Sequence, residues 1–273
     1  MLSLPRKKVM KKYKFPESGG CLSEASCGAF RKLIFLHYGG MPPNKHPNLL
    51  RTEPMELKIA EIFNSIEGEG KRVGVPTSFI RLAGCNLRCI YCDTQYAQDH
   101  NQGQIITADE IMANLHYKRV TITGGEPLLA KNIDKLIQQL LKEGIEVNIE
   151  TNGSIDIRSY SHRNSNLFFT IDYKLPSSGA HHQMLFENYL SLKPWDVIKF
   201  VVGSSGDMTE TANFIQRIQP SYTEMPQIFI GAVHECFDLR ILAENILKTP
   251  ILKDARLQLQ LHKIIWDATM RGV

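Results

Sequence analysis

The sequence predicts an α/β fold in which a parallel sheet, covered by helices, curves into a partial or modified barrel. From Met55 onward, segments with the two-residue alternation of strands take turns with segments that have the apolar spacing of helices. Repeated strand–helix–strand units place successive strands in one parallel sheet, and right-handed crossovers curve that sheet. Ligands of such folds bind at the carboxyl ends of the strands, so functional residues are expected there.

Eight strands and five helices are predicted after Met55. The strands cover residues 57–63, 77–83, 119–123, 145–150, 167–173, 196–202, 227–232 and 256–262. The helices cover residues 107–117, 132–143, 183–192, 209–218 and 239–248. Two boundaries carry clear signals: Thr107 and Glu110 form a capping box that begins the first helix, and Gly144 ends the second.

The composition excludes several classes of protein. Hydrophobic residues make up 43% of the 273 residues and charged residues 22%, which allows a packed core and excludes a wholly disordered chain. No run approaches the roughly 18 apolar residues of a membrane span. Residues 1–54 hold ten Lys and Arg against three Asp and Glu, so the remainder of this +4 chain has a net charge of −3. We therefore expect neither nucleic acid nor a membrane as a partner.

Residues 1–54 differ from the rest of the chain. They show no strand–helix rhythm, and their apolar run, residues 33–36, is shorter than the 7–15 residues of a signal peptide. We expect a disordered or non-native extension that precedes a catalytic domain over residues 55–273. Since no secretion signal is evident, the free cysteines predict a reducing, cytoplasmic location.

Three cysteines occur in the loop after the second strand. Cys85, Cys89 and Cys92 have the spacing C-x-x-x-C-x-x-C. Three thiolates from one tight loop can bind three irons of a four-iron four-sulfur cluster, which leaves the fourth iron open to a ligand. A zinc site, a disulfide framework and chance buried cysteines are the alternatives, although zinc normally needs a fourth protein ligand near by.

Two polar turns follow the next strands of the predicted sheet. Gly124-Gly125-Glu126-Pro127 comes directly after the strand at 119–123, and Glu150-Thr151-Asn152-Gly153 ends the strand at 145–150. Glycines let the backbone approach a ligand closely, and Glu126 or a carbonyl oxygen can accept a hydrogen bond from an ammonium group. Taken alone, either segment is an ordinary turn.

Together, the cysteine spacing and the Gly-Gly-Glu-Pro turn resemble the radical S-adenosylmethionine (SAM) superfamily. The resemblance implies a partial barrel of the radical SAM type, in which the open iron chelates SAM. Cleavage of SAM would give a 5′-deoxyadenosyl radical that abstracts hydrogen from the substrate. The residues thereby implied in cofactor binding are Tyr91, Cys92, Asp93, Gly124, Gly125, Glu126, Thr151 and Asn152.

Further segments narrow the resemblance to one family. Residues 61–70 read EIFNSIEGEG, Asp93-Thr94 follows the cysteines, and the chain ends with LHKIIW at 261–266 and Arg271-Gly272-Val273. Together they are similar to the 7-carboxy-7-deazaguanine synthases. The resemblance implies conversion of 6-carboxy-5,6,7,8-tetrahydropterin to 7-carboxy-7-deazaguanine with loss of ammonia, in queuosine and other 7-deazapurine biosynthesis. It also implies SAM, the cluster, Mg²⁺, a flavodoxin- or ferredoxin-like reductant, and a homodimer.

The family resemblance also implies roles for individual residues. Those implied to contact the pterin are Ile66, Glu67, Gly68, Arg81, Thr123 and the chain terminus at Val273. Thr94 matches a hydroxyl ligand of magnesium, and Asp172 and Lys174 match positions that contact SAM. Without the resemblance, Arg81 could point to the outer face of its strand, and Thr94 could cap a turn.

Two other functional classes share part of these features. A radical SAM activase that forms a glycyl radical on a partner protein would have the cysteines and a similar Gly-Gly-Glu-Pro turn. It would not require the segment at 66–70 or the Arg271-Gly272-Val273 end. A non-catalytic iron–sulfur or zinc module would need only the cysteines. His262 adjoins the C-terminal motif and is a further candidate for the site.

Overall fold

The computed structural model of the protein describes residues 55–160, 165–267 and 270–273. Within these residues, nine strands and six helices follow one another along the chain. The strands are β1 (Glu56–Ile66), β2 (Pro76–Leu82), β3 (Gln104–Thr107), β4 (Arg119–Gly124), β5 (Glu146–Thr151), β6 (Leu167–Tyr173), β7 (Val197–Val202), β8 (Gln227–Ala232) and β9 (Arg256–Gln258). The helices are α1 (Ala108–Ala113), α2 (Ile133–Lys142), α3 (Phe186–Leu190), α4 (Ser205–Ile218), α5 (Leu239–Lys248) and α6 (His262–Ile265).

All nine strands form one sheet that does not close on itself. Its order is β3-β1-β2-β4-β5-β6-β7-β8-β9, so β3 and β9 are the two edges. The strands from β2 to β9 pair in parallel, whereas β1 pairs antiparallel with both β2 and β3. The α/β partial barrel predicted from the sequence is therefore confirmed.

The two faces of the sheet differ in chemistry. Residues that point toward the covering helices are apolar and buried, and on four neighbouring strands they are Ile80, Ile122, Ile149 and Ile171. The residue after each of these, on the opposite face, is polar: Arg81, Thr123, Glu150 and Asp172. Strand alternation therefore places a polar ladder on the concave face, while helices such as α2 cover the convex one.

Several element boundaries differ from the sequence prediction. The first helix ends at Ala113 rather than at 117, because Asn114 donates its side-chain amide to the Glu110 carbonyl oxygen, and the Ser78 hydroxyl accepts from two following backbone N–H groups. The α4 helix begins earlier than predicted, at Ser205, because the Ser204 hydroxyl caps it. The α3 helix is shorter than predicted at both ends.

The sheet edges were the least predictable part. The short edge strand β3 was not predicted, and β9 stops at Gln258 because His262 begins α6. Both predicted boundary signals are confirmed: Thr107 and Glu110 form the reciprocal capping box, and Gly144 has the left-handed φ of +70° after α2. The predicted extension over 1–54 lies outside the described residues. No helix in the described ranges is long and apolar enough to cross a membrane.

Candidate active site

A cavity of about 790 Å³ opens at the carboxyl ends of the parallel strands. One end is formed by the loop that carries the three cysteines. The opposite end is formed by Arg81, by the segment after β1, and by the last residues of the chain. The ends of β4, β5 and β6 form the wall between these two ends. This is the position that parallel α/β folds use for ligands.

The cysteine loop is held by backbone hydrogen bonds. The N–H of Gly84 donates to the carbonyl of Ala97 at 2.8 Å, and the N–H of Cys85 donates to the carbonyl of Gln98 at 3.1 Å, which closes the loop at its base. At its tip, the N–H of Ile90 donates to the carbonyl of Ser178 at 3.0 Å. The loop is thus fixed at both ends across the mouth of the cavity.

The three thiols of the loop line the same cavity. Cys85, Cys89 and Cys92 are free, partly buried and line the cavity. Over the described part of the chain, no three His, Cys, Asp or Glu side chains converge where a single metal ion would bind. The Cys85 sulfur accepts from the backbone N–H of Leu87 at 3.4 Å and the side chain of Asn152 at 3.8 Å. Three thiolates of one loop are the donor set that a four-iron four-sulfur cluster takes from a protein when one of its irons is left open.

The two glycines at the end of β4 allow close packing against the end of β2 and the start of the cysteine loop. Gly124 has a φ of +153°, and a Cβ on it would meet the backbone of Leu82. A Cβ on Gly125 would overlap the carbonyl oxygen of Gly84. Both glycines line the cavity, but the close approach that requires them is to the cysteine loop. The sequence argument had attributed it to a ligand.

Glu126 lies beneath the cavity and does not line it. Its carboxylate accepts from the backbone N–H groups of Asn152 at 2.7 Å and Leu128 at 3.1 Å, and from the hydroxyl of Thr151 at 2.8 Å. Burial raises the pKa of Glu126 to about 7 despite these hydrogen bonds. In this structure the Glu126 carboxylate supports the turn that presents Thr151 and Asn152.

Asp172 lines the cavity and has one buried carboxylate oxygen without a hydrogen-bond partner among the described residues. Lys174 donates to Asp172 Oδ2 at 2.7 Å, whereas the buried Oδ1 has no hydrogen-bond partner among the described residues. Burial alone would lower the pKa of Lys174, but the Asp172 carboxylate and the Cys89 thiolate raise it above its usual value. A buried carboxylate oxygen without a partner beside the cysteine loop fits a hydroxyl donor such as that of a ribose.

At the other end of the cavity, Arg81 points inward. Its Nε donates to Glu61 Oε1 at 2.8 Å, and its two terminal nitrogens make no hydrogen bond within the described ranges. Thr123 and Glu150 flank it on the wall. The outward orientation that strand alternation left open is thus wrong, and the free edge of the guanidinium suits a carboxylate ligand.

Glu67 lies at the floor of the cavity. Its Oε2 accepts from Arg72 at 3.2 Å and from the Thr121 hydroxyl at 2.6 Å, which leaves Oε1 without a hydrogen bond to the described residues. Burial, and then the nearby Glu150 carboxylate, raise the pKa of Glu67 to about 7. Because a carboxylate only accepts, Oε1 can bind an amino or ring N–H group of a ligand.

The end of the chain covers this half of the cavity. Gln260 donates to Glu69 at 2.6 Å, which ties the segment before α6 to the segment after β1, and Lys199 of β7 forms an ion pair with the same carboxylate. His262 packs on Gly68, and Val273 lines the cavity. The chain terminus is thus brought to the cavity rather than away from it.

Asp93 and Thr94 form the rim nearest the cysteines. The Thr94 hydroxyl donates to Asp93 Oδ1 at 3.0 Å, and Lys263 pairs with Asp93 Oδ2 at 2.9 Å. Desolvation opposes ionisation, but the Lys263 ammonium holds the pKa of Asp93 well below its usual range. Both side chains therefore present hard oxygen atoms to the cavity, and the charge of Asp93 is already compensated.

Comparison with known proteins agrees with this arrangement. The family model described as the Radical SAM superfamily matches residues 79–161, which span the cysteine loop and both polar turns. A 7-carboxy-7-deazaguanine synthase of Clostridium acetobutylicum is 40% identical over 227 residues, covering 80% of this chain and 100% of its own length. The chain belongs to the 7-carboxy-7-deazaguanine synthase family.

Other relatives support the same membership. A 7-carboxy-7-deazaguanine synthase of Methanospirillum hungatei JF-1 is 42% identical over 215 residues, covering 77% of this chain and 85% of its own length. The crystal structure of QueE from Escherichia coli superposes with a TM-score of 0.59 at 22% identity, covering 76% of this chain and 95% of that one. That likeness shows that the two chains share a fold.

In this member of the family, the cavity collects nearly all the residues singled out from the sequence. Around it lie Ile66, Glu67, Gly68, Arg81, Cys85, Cys89, Tyr91, Cys92, Asp93, Thr94, Thr123, Gly124, Gly125, Thr151, Asn152, Asp172, Lys174 and Val273. Glu126 is the exception. His262 lines the cavity as well, and burial lowers its pKa.

Sequence reasoning missed several polar residues of the site. Lys199 and Gln260 bind the Glu69 carboxylate, and Lys263 binds Asp93 and Gln260. Glu69 and Lys263 lie in segments that carried the family resemblance, but the sequence assigned no role to any of the four. The stacked rings of Phe63 and Phe79, 4.7 Å apart, were also missed. Two aromatic residues on inward-facing positions of β1 and β2 were the available signal.

Proposed function

We propose that the chain converts 6-carboxy-5,6,7,8-tetrahydropterin to 7-carboxy-7-deazaguanine with release of ammonia, as a SAM-dependent lyase. Substrate and product differ by one ammonia, so the reaction needs no net oxidant or reductant. Membership of the 7-carboxy-7-deazaguanine synthase family supports this proposal. None of the observations favours the alternative of a glycyl-radical activase.

One observation carries the proposal: the cysteine loop and the guanidinium of Arg81 line one and the same cavity. Cys85, Cys89 and Cys92 lie at one end, and Arg81 and Glu67 lie at the other. A non-catalytic iron–sulfur module would not need the other end. A cavity of about 790 Å³ has room for two ligands of nucleoside size next to each other.

When bound, the cluster and SAM supply a 5′-deoxyadenosyl radical that abstracts hydrogen. The residues of the chain bind and orient the reactants. The three cysteines would hold the cluster, and Asn152 and Asp172 would hold SAM; the contact of Asn152 with Cys85 and the unpartnered Oδ1 of Asp172 support these roles. The terminal nitrogens of Arg81 would bind the pterin carboxylate as a planar fork.

The remaining pterin contacts are acceptors. Glu67 Oε1 would accept from an N–H group of the pterin, and the carboxylate of Val273 would accept from another. Ile66, Gly68 and Thr123 would border the same ring. In this arrangement the substrate is held at its carboxylate edge and its N–H edges, and the C-terminal segment limits access of water.

Magnesium is part of the proposal. Thr94 and Asp93 offer hard oxygen ligands at the rim, and because Lys263 neutralises Asp93, the ion would depend on the substrate carboxylate and water for its other ligands. Thr94→Ala is expected to raise the magnesium concentration that gives half-maximal rate, with SAM binding unchanged. A magnesium titration like that of the unmodified protein would remove Thr94 from the ligands.

The deciding experiment is anaerobic reconstitution with iron and sulfide. The protein is then incubated with 6-carboxytetrahydropterin, SAM, reductant and magnesium, and the product is identified by mass spectrometry. Formation of 7-carboxy-7-deazaguanine together with ammonia supports the proposal. SAM cleavage without conversion of the pterin would contradict it and leave a radical SAM enzyme of another class. No SAM cleavage would leave a non-catalytic module.

The remaining expectations are part of the same proposal. A flavodoxin- or ferredoxin-like protein would reduce the cluster, and the protein would act in the cytoplasm as a homodimer, with residues 55–273 as its catalytic domain. Exposed Leu257, Leu259, Ile264 and Ile265 beside the free edge of β9 support association with a second copy. Sedimentation of the reconstituted protein tests the homodimer.

A further inference from the structure

A β-bulge turns Glu61 onto the face of the sheet that carries Arg81. In the pairing of β1 with β2, Ile59 lies opposite Leu82, whereas Glu61 lies opposite Arg81, so β1 has one extra residue between the two pairs. Without that residue, alternation would place Glu61 on the same face as buried Ile59. With the bulge, Glu61 shares the concave face of the sheet with Arg81.

Three side chains meet on the Glu61 carboxylate. Arg81 donates through Nε at 2.8 Å, the Tyr96 hydroxyl donates to the same oxygen, and Arg271 pairs with Oε2 at 3.8 Å. Glu61 and Arg81 are only 15% and 18% exposed as side chains, so solvent screens this ion pair incompletely.

The Tyr96 ring completes a closed set of contacts. The guanidinium of Arg271 stacks over that ring at 3.7 Å from its centre, while the hydroxyl binds Glu61. Burial raises the pKa of Tyr96 to about 12, and the Glu61 hydrogen bond also raises it, although Arg81 lowers it, so the hydroxyl stays a donor. Arg271 is thereby held by both a carboxylate and a ring two residues before the chain terminus.

Arg81 and Arg271, which have separate roles, therefore share the carboxylate of Glu61. Because Arg81 donates through Nε to Glu61, the plane of its guanidinium is fixed. The edge with the two terminal nitrogens is left for a ligand. The contacts with Arg271 hold the last three residues against the same wall, where a Cβ on Gly272 would come within 3.8 Å of Phe63. Without the carboxylate, the two guanidiniums would repel each other and neither would keep its orientation.

We propose that Glu61 is a positioning residue. It fixes the orientation of the Arg81 guanidinium and, through Arg271, the position of the chain terminus beside it. The inference rests on the proposed function for its kinetic consequence, but its structural consequence stands by itself. Glu61 does not line the cavity and touches no reactant, so it acts through Arg81 and Arg271.

The test compares Glu61→Gln with Glu56→Gln, the same change on an exposed residue of the same strand. Glutamine loses the charge that both arginines need, although its oxygen can still accept from Tyr96. We expect Glu61→Gln to raise the KM for the pterin by roughly 10- to 100-fold and kcat to change less. The rate of SAM cleavage without pterin should stay within about twofold of the unmodified rate, because the cysteine end is untouched.

A second readout is independent of catalysis. Carboxypeptidase should release Val273 several-fold faster from reconstituted Glu61→Gln than from Glu56→Gln, because the tail has lost its anchor. Glu61→Asp, which keeps the charge, should restore the slow release in part. In a double variant with Arg271→Gln, the increase in release should fall short of the product of the two single effects.

The possible outcomes distinguish a failure of the proposed function from a failure of the positioning role of Glu61. If the unmodified protein fails to convert the pterin, the proposed function is wrong, and tail release still tests Glu61. Unchanged KM together with unchanged tail release in Glu61→Gln would overturn the positioning role. Equal loss of pterin turnover and pterin-independent SAM cleavage would also overturn it, since that pattern indicates general damage to the fold.

Discussion

The carbonyl oxygen of Gly68 accepts a 3.0 Å hydrogen bond from the backbone N–H of Leu261. This bond joins the segment after β1 to the segment before α6, which are almost 200 residues apart in the chain. The next residue, His262, fills the place where a side chain at position 68 would stand. Glycine at this position therefore allows the C-terminal segment to close the cavity.

Gly68→Ala should displace that segment. A Cβ on Gly68 would overlap the His262 ring, so we expect a loss of pterin turnover of about 10-fold or more, with SAM cleavage retained. Gly206→Ala in α4 is the control, because the nearest atom to its Cβ would be 3.6 Å away. Steady-state kinetics of both variants test this expectation. A fully active Gly68→Ala protein would show that the contact between Gly68 and His262 is dispensable.

Cys89→Ala should abolish cluster binding and SAM cleavage. The partly buried thiol lines the cavity together with those of Cys85 and Cys92, and two thiolates leave the cluster without its third anchor. Cys236→Ala removes an exposed cysteine outside the triplet and should leave the iron content at about four per chain. Retained SAM cleavage in Cys89→Ala would contradict the cluster assignment.

A chain that starts at Met55 should fold and turn over like the full chain. Met55 already belongs to the fold, because its carbonyl accepts from the N–H of Ala108 at 2.8 Å. A chain that starts with Met followed by Ile59 is the control, since it lacks buried Leu57 and its pairing with Ile106. Urea midpoints and turnover of both are measured. Loss of activity and of the circular dichroism spectrum in the Met55 chain would place residues 1–54 in the functional fold.

A tag fused after Val273 should impair pterin conversion, whereas a tag before the first residue should not. The terminal residue lines the cavity, and an extension would move the carboxylate that we propose to accept from the pterin. Loss of one hydrogen bond to a charged group predicts a rise in the KM of roughly 10- to 150-fold. Equal KM values for the two tagged proteins would exclude Val273 from the substrate site.

Glu126 should make stability depend on pH. Its native pKa of about 7 lies above the ordinary 4.5, so between these values the native state holds a proton that the unfolded state has lost. The free energy of unfolding therefore falls as pH rises through this range, by at most roughly 3 kcal/mol, and Glu126→Gln should lack this fall.

Anaerobic urea unfolding at about pH 5 and about pH 8 measures the difference between the unmodified protein and Glu126→Gln. The stability lost on substitution should be larger at the lower pH. Glu110→Gln is the control, because the capping box lowers the pKa of Glu110, a shift in the direction opposite to that of Glu126. If the two substitutions show the same pH profile, Glu126 does not titrate in the native state.

The sequence by itself determined the local features of this protein. The cysteine spacing, the capping box of Thr107 and Glu110, and the stop at Gly144 depend on residues close together in the chain, so they can be read in order. Strand alternation also separated Arg81 from the apolar residues beside it, although it did not say which face formed the cavity. Recognition of the family then grouped these residues into one site.

Only the tertiary structure decided how distant segments meet. The bulge that turns Glu61 onto the face that carries Arg81 depends on which residues of β2 lie opposite β1, and the ion pair of Lys263 with Asp93 joins residues 170 positions apart. Glu126 belongs to the Gly-Gly-Glu-Pro turn but lies beneath the cavity. The Thr151 hydroxyl and the Asn152 N–H, at the end of the next strand, donate hydrogen bonds to its carboxylate. Such contacts form when the sheet curves and the chain terminus folds back, so their geometry is set by packing between segments and not by any local pattern.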